Sequence, residues 1–169
     1  CEKLENLNTC NWNTGKVTTM STLLGGCTNL LTIGDISNWN TSNVKAMNLM
    51  FYNCPKLQQA LDLSKWKTGQ VENMYSMFYM CSSLTSLDVS NFNVNKVTNM
   101  YQMFRGIKLT TIGDLSNWKP KVVNNLGGMF LNCINLTSLD LSGFDTSNVI
   151  DFFQMFDGCE KLTTIGDVS

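Results

Sequence analysis

The sequence predicts an α/β repeat fold, a solenoid whose coils each carry one short parallel strand and one short helix. Three observations predict it. Aromatic residues recur at Trp12, Trp39, Trp66, Phe92, Trp118 and Phe144, at intervals of 27, 27, 26, 26 and 26 residues. Behind each aromatic, apolar residues follow at three- and four-residue steps, the spacing of one helix face. An alternating stretch such as Leu87-Asp88-Val89 then closes the unit with the period of a strand.

The whole chain, 1–169, reads as one array: a partial coil over 1–11, then coils 12–38, 39–65, 66–91, 92–117, 118–143 and 144–169. The predicted helix stripe starts at Val17, Val44, Val71, Val97, Val123 and Val149. It continues through Met20, Met47, Met74, Met100, Leu126 and Phe152, and through pairs such as Met77-Phe78 and Met103-Phe104. It ends at Cys27, Cys54, Cys81, Ile107, Cys133 and Cys159. Gly26, Asn53, Gly106, Asn132 and Gly158 mark a turn just before that last position. The predicted strand follows, with inward pairs such as Leu61/Leu63, Leu87/Val89, Leu139/Leu141 and Ile165/Val168. It has two spellings. One is compact, as in Leu139-Asp140-Leu141-Ser142, and the other is longer, as in Ile112-Gly113-Asp114-Leu115-Ser116, whose extra Gly can loop out as a bulge.

Composition narrows the function. The formal net charge is −1, with no basic stripe, which argues against a nucleic-acid partner. No run of about 18 apolar residues could cross a bilayer as a transmembrane segment. The chain has no histidine, no phosphate-binding or dinucleotide glycine loop and no G-x-S-x-G, so it is not expected to be an enzyme or to carry a cofactor. Both termini fit the repeat register. We therefore expect a piece of a longer protein, whose uncapped ends could self-associate.

The cysteine series has no C-x-x-C pair, and its members lie a coil apart, which suits buried apolar thiols better than a zinc site. Cys10 breaks the ladder and leaves open a bond to Cys1, while Cys1 leaves open lipid modification. The acidic series Asp35, Asp62, Asp88, Asp114, Asp140 and Asp167 is expected as a column on the strand face. Each carboxylate can cap its own Asp-x-Ser turn. The alternatives are an acidic strip for a partner and, less favoured without Gly-rich ligand loops, calcium; no metal site is expected. Aromatics off the helix stripe are the other candidates. Tyr52, Tyr79 and Arg105 share one outward position, and Tyr75, Tyr101 and Phe153 share another, where such residues serve as binding anchors.

A period of 20–29 residues with L-x-x-L-x-L at the strand is the leucine-rich-repeat pattern, which makes the expected solenoid right-handed. Phrases such as Leu141-Ser142-Gly143-Phe144-Asp145-Thr146-Ser147-Asn148-Val149, and Asn73-Met74 through Met77-Phe78, resemble the BspA-like leucine-rich repeats of bacterial surface proteins, including mycoplasma surface lipoproteins. The resemblance implies a bacterial cell-surface or secreted location and an adhesion class of activity. The expected function is a non-catalytic recognition module for a protein or glycan. Its rival is a structural stalk, spacer or self-assembling array unit.

Overall fold

The structure is a computed structural model that describes residues 1–166. Asp167 and Val168, both named above, lie outside the described residues. Successive repeats stack so that each residue meets its equivalent one repeat on. Parallel bridges join Thr19 to Ala46, Ala46 to Asn73, Asn73 to Asn99, Asn99 to Asn125 and Asn125 to Asp151.

The expected helix is absent from every described repeat, and the α/β class with one helix per coil is overturned. The stretch from Met74 to Cys81 is instead a tandem of overlapping turns. Within the repeat, Met77 N donates to Met74 O, Tyr79 N to Ser76 O and Cys81 N to Phe78 O. The intervening N–H groups point out of the repeat: Met74 donates to Asn99 O, Ser76 to Tyr101 O, Phe78 to Met103 O and Met80 to Arg105 O. A helix would spend all of these donors on its own carbonyls. Here half of them bind the neighbour, at 2.7–3.0 Å.

The turns need left-handed backbone at two places per repeat, as the third residue of a type II turn does. One place holds Thr22, Leu49, Ser76, Gln102, Gly128 and Gln154; the other holds Gly26, Asn53, Met80, Gly106, Asn132 and Gly158. Glycine and asparagine tolerate this geometry, whereas Leu49 at φ 58° and Met80 at φ 56° do so against side-chain sterics. The inter-repeat hydrogen bonds hold them there. The three- and four-residue apolar spacing comes from these turns: Val71, Met74, Met77, Phe78 and Cys81 are all at most 1% exposed.

The strand side is sparser. Two two-residue strands, β1 (Ala60–Leu61) and β2 (Ser86–Leu87), pair in parallel, with isolated bridges Asn6–Thr32 and Ser138–Thr164 elsewhere. The inward residues Ile33, Ile36, Leu61, Leu63, Leu87, Val89, Ile112, Leu115, Leu139 and Leu141 are buried nonetheless. Rings stack through the interior along the repeat axis. Phe51, Phe78, Phe104, Phe130 and Phe156 form one ladder with centroids 5.4–5.9 Å apart. Trp12, Trp39 and Trp66 form a second. Trp66 Nε1 donates to Ile36 O and Trp118 Nε1 to Val89 O, both at 3.0 Å, while buried Trp39 Nε1 has no partner.

All seven cysteines are free thiols, with Cys1 and Cys10 exposed and Cys27, Cys54, Cys81 and Cys133 buried. The buried sulfurs also tie neighbouring repeats together. Cys54, Cys81 and Cys133 each donate to a carbonyl of the preceding repeat, at Leu24, Phe51 and Phe104, at 3.0–3.1 Å. Burial pushes the Cys54 thiol up to about 12 and raises Cys81 as well, so both stay protonated and unreactive near neutrality.

Candidate recognition surface

The outer side of the turn ladder carries the aromatic candidates. In repeats three to five an asparagine opens the turn tandem and fixes the residue two places on: Asn73 Oδ1 accepts from Tyr75 N, and Asn99 Oδ1 from Tyr101 N, both at 2.9 Å. Asn125 does the same for Gly127 and Asp151 for Phe153. The sequence reading did not single out this Asx column. Its signal is the recurring Asn-x-Tyr, since an Asx side chain caps the N–H two residues ahead.

The rings form two outer ladders, of which only the first is held by these caps. Tyr75 and Tyr101 stack with centroids 5.7 Å apart and planes 7° from parallel. Tyr52 and Tyr79 stack at 4.7 Å, and the Arg105 guanidinium lies over Tyr79, 5.2 Å from its centroid. Arg105 Nε is buried there without a hydrogen-bond partner. All five residues are half-buried. Between the ladders, Ser76 is fully buried and its Oγ is also unpartnered. Phe153, grouped with Tyr75 and Tyr101 by position, stacks on no other ring and is 67% exposed.

The acidic candidates lie on the strand side and turn inward on their own loops. Oδ1 of Asp35, Asp62, Asp88, Asp114 and Asp140 accepts the N–H two residues on, from Ser37, Ser64, Ser90, Ser116 and Ser142, at 2.8–3.0 Å. The Ser64 and Ser90 hydroxyls add a second bond. These bonds hold most of the carboxylates below their ordinary pKa. The Ser37 and Ser116 N–H groups act most strongly on Asp35 and Asp114, and the Ser64 and Ser142 hydroxyls on Asp62 and Asp140. Each side chain is thereby partnered locally through Oδ1, on a residue that remains exposed. Among the described residues, no three acidic or thiol groups converge as one cation would need.

Two overlapping stretches of the chain, 1–112 and 82–168, match the family described as "Mycoplasma protein of unknown function, DUF285". The chain is thus a repeat protein of that family and belongs to it. No curated protein and no solved structure matches the chain. Among the described residues, no helix is long and apolar enough to cross a membrane.

Proposed function

We propose that this chain is a non-catalytic recognition module of a bacterial cell-surface or secreted protein, binding a protein or glycan through the outer tyrosine ladders. The observation that carries the reading is the contrast within one turn tandem. Inward positions repeat almost unchanged, whereas the position held by half-buried Tyr52 and Tyr79 becomes Arg105 and, two repeats further on, exposed Asp157, with Leu131 buried between them. A spacer has no physical reason to vary its surface this way. Half-exposed tyrosines locked by stacking lose little rotamer freedom on binding, which favours them as anchors. The surface-adhesin side of the BspA-like resemblance belongs to this proposal.

The structural alternative draws support from the hydrogen-bond ladder that joins successive repeats on the turn side, which suits a stiff stalk. One experiment separates the two. The immobilised chain is offered extracellular-matrix proteins and a glycan array, alongside a Tyr75→Ser/Tyr79→Ser variant. Saturable capture by the parent and its loss in the variant, with folding retained, is the expected result. Equal capture by both would move recognition off the tyrosine ladders, and capture by neither favours the stalk.

A further inference from the structure

The Tyr75–Tyr101 ladder stops at a glycine that the backbone does not require. Gly127 is absent from the positive-φ positions, unlike its neighbour Gly128 at φ 57°. The atoms nearest to a Cβ there are side-chain ones, Asp151 Oδ2 at 2.9 Å and Cγ at 3.2 Å and Tyr101 Cδ2 at 3.1 Å, so a side chain at Gly127 would have to displace the flexible end of Asp151. The column resumes one repeat later at Phe153, which stacks on nothing and is 67% exposed. At the roughly 4.8 Å pitch of parallel pairing, the Tyr101 and Phe153 positions stand about 10 Å apart. One planar group in van der Waals contact with both needs about 7–8 Å. The ladder therefore lacks a single rung.

The chemistry beside the missing rung is anionic. Asp151 uses Oδ1 to cap Phe153 N and leaves Oδ2, which borders the gap, without a hydrogen-bond donor. Asp157 lies four residues beyond Phe153, and in repeats five and six the outward positions from Asn125 to Asn132 and from Asp151 to Gly158 hold no Lys or Arg. The nearest cation on this face, Arg105, is turned onto Tyr79. Two aromatic walls and a free carboxylate suit a planar cation, since guanidinium stacks on rings and pairs with carboxylates through in-plane donors. We propose that the gap at Gly127 receives an arginine side chain of a protein partner, stacked between Tyr101 and Phe153 and paired with Asp151. This rests on the recognition reading above and specifies its partner chemistry.

The test is an NMR titration of the isotope-labelled chain with N-acetyl-arginine amide, N-acetyl-lysine amide and N-acetyl-tyrosine amide. The arginine probe should shift the Gly127 and Phe153 amides saturably, and bind about threefold or more tighter than the lysine probe. Gly127→Tyr, which supplies the missing ring, should abolish the effect. Asp151→Asn, which keeps the cap on Phe153, should weaken it about two- to fivefold. Equal response to lysine, a tighter response to the tyrosine probe, no local shift, or an unchanged Asp151→Asn titration would each overturn the proposal. Partner capture that depends on Tyr75 and Tyr79 while the arginine probe stays silent would sink the guanidinium assignment alone. A local arginine response from a chain that captures no partner would instead count against the recognition reading.

Discussion

The turn side and the strand side of each repeat both bury apolar residues, yet only one forms a continuous ladder. On the turn side, ten residues separate the Val and Cys positions in all six repeats, with Ile107 replacing Cys once. In repeats one to five the N–H groups that leave the repeat therefore each find the corresponding carbonyl one repeat on. On the strand side, the inserted Gly34, Gly113 and Gly166 change the count between neighbours. Repeats two and three share the compact spelling, and they alone gain the β1–β2 pair. Where spellings differ, backbone pairing thins to bonds such as Val89 N to Ile112 O and Leu139 N to Thr164 O, and side chains add to it. Ile33 N donates to Gln59 Oε1, Gln59 Nε2 donates to Gly34 O, and Asp114 N donates to Ser90 Oγ. One extra residue shifts the register of a strand, so constant spacing between repeats, more than apolar content, decides which side becomes regular.

The strongest way to break this comparison is to cut a ladder on each side. Phe78→Ala removes a fully buried ring from the middle of the Phe stack and should cost about 3–5 kcal/mol in urea unfolding. Leu87→Ala, its counterpart in β2, should cost about 2–3 kcal/mol. A larger loss at Leu87 would mean that the strand side carries the stability.

Next in size is the thiol column. Cys81→Ala loses a buried side chain and its bond to Phe51 O, for about 1–3 kcal/mol. A maleimide probe should label exposed Cys1 and Cys10 quickly and spare Cys27, Cys54, Cys81 and Cys133 in the folded protein. Rapid labelling of the buried four would show that the turn side opens readily. The turn geometry itself is tested at Gly26, where φ is +73° and a Cβ would meet nothing within 4 Å. Gly26→Ala should therefore cost about 1–2 kcal/mol through backbone strain alone. Gly69→Ala, at a position without positive φ, should be neutral or slightly stabilising.

The smallest effect is on the strand side. Asp35, Asp62, Asp114 and Asp140 sit below their unfolded value of 3.8 because serine donors bind the charged form. Their contribution is complete above that value and is lost as pH falls through the lower folded values. Melting temperature should decline from about pH 5 to about pH 2.5, and less so in Ser64→Ala/Ser142→Ala. An unchanged slope in that variant would remove the Asp-x-Ser turns from the explanation.

Much of this was legible in the residues. The period, most of the buried positions, the stacked Trp12, Trp39 and Trp66, and the second turn site at Gly26, Asn53, Gly106, Asn132 and Gly158 all follow from position-by-position recurrence, whereas Phe152 of the expected stripe is 47% exposed. So does the sharing of outward positions by Tyr52 with Tyr79 and by Tyr75 with Tyr101. The first turn site was not legible, because Thr22, Leu49, Ser76, Gln102, Gly128 and Gln154 have no common chemistry and most are poor left-handed residues. Nor was the difference between Tyr101, stacked, and Phe153, bare, since it depends on what the adjacent repeat supplies.

By itself, then, the sequence determined the repeat, its core and its register, because those depend on which side chains recur. Only the tertiary structure decided that the apolar stripe is a turn ladder rather than a helix. Both place residues at three- and four-residue steps on one face. They differ in where Met74, Ser76, Phe78 and Met80 send their N–H groups, and the carbonyls that receive them lie 25 residues further along the chain. No window short enough to show a helical period contains both partners of such a bond.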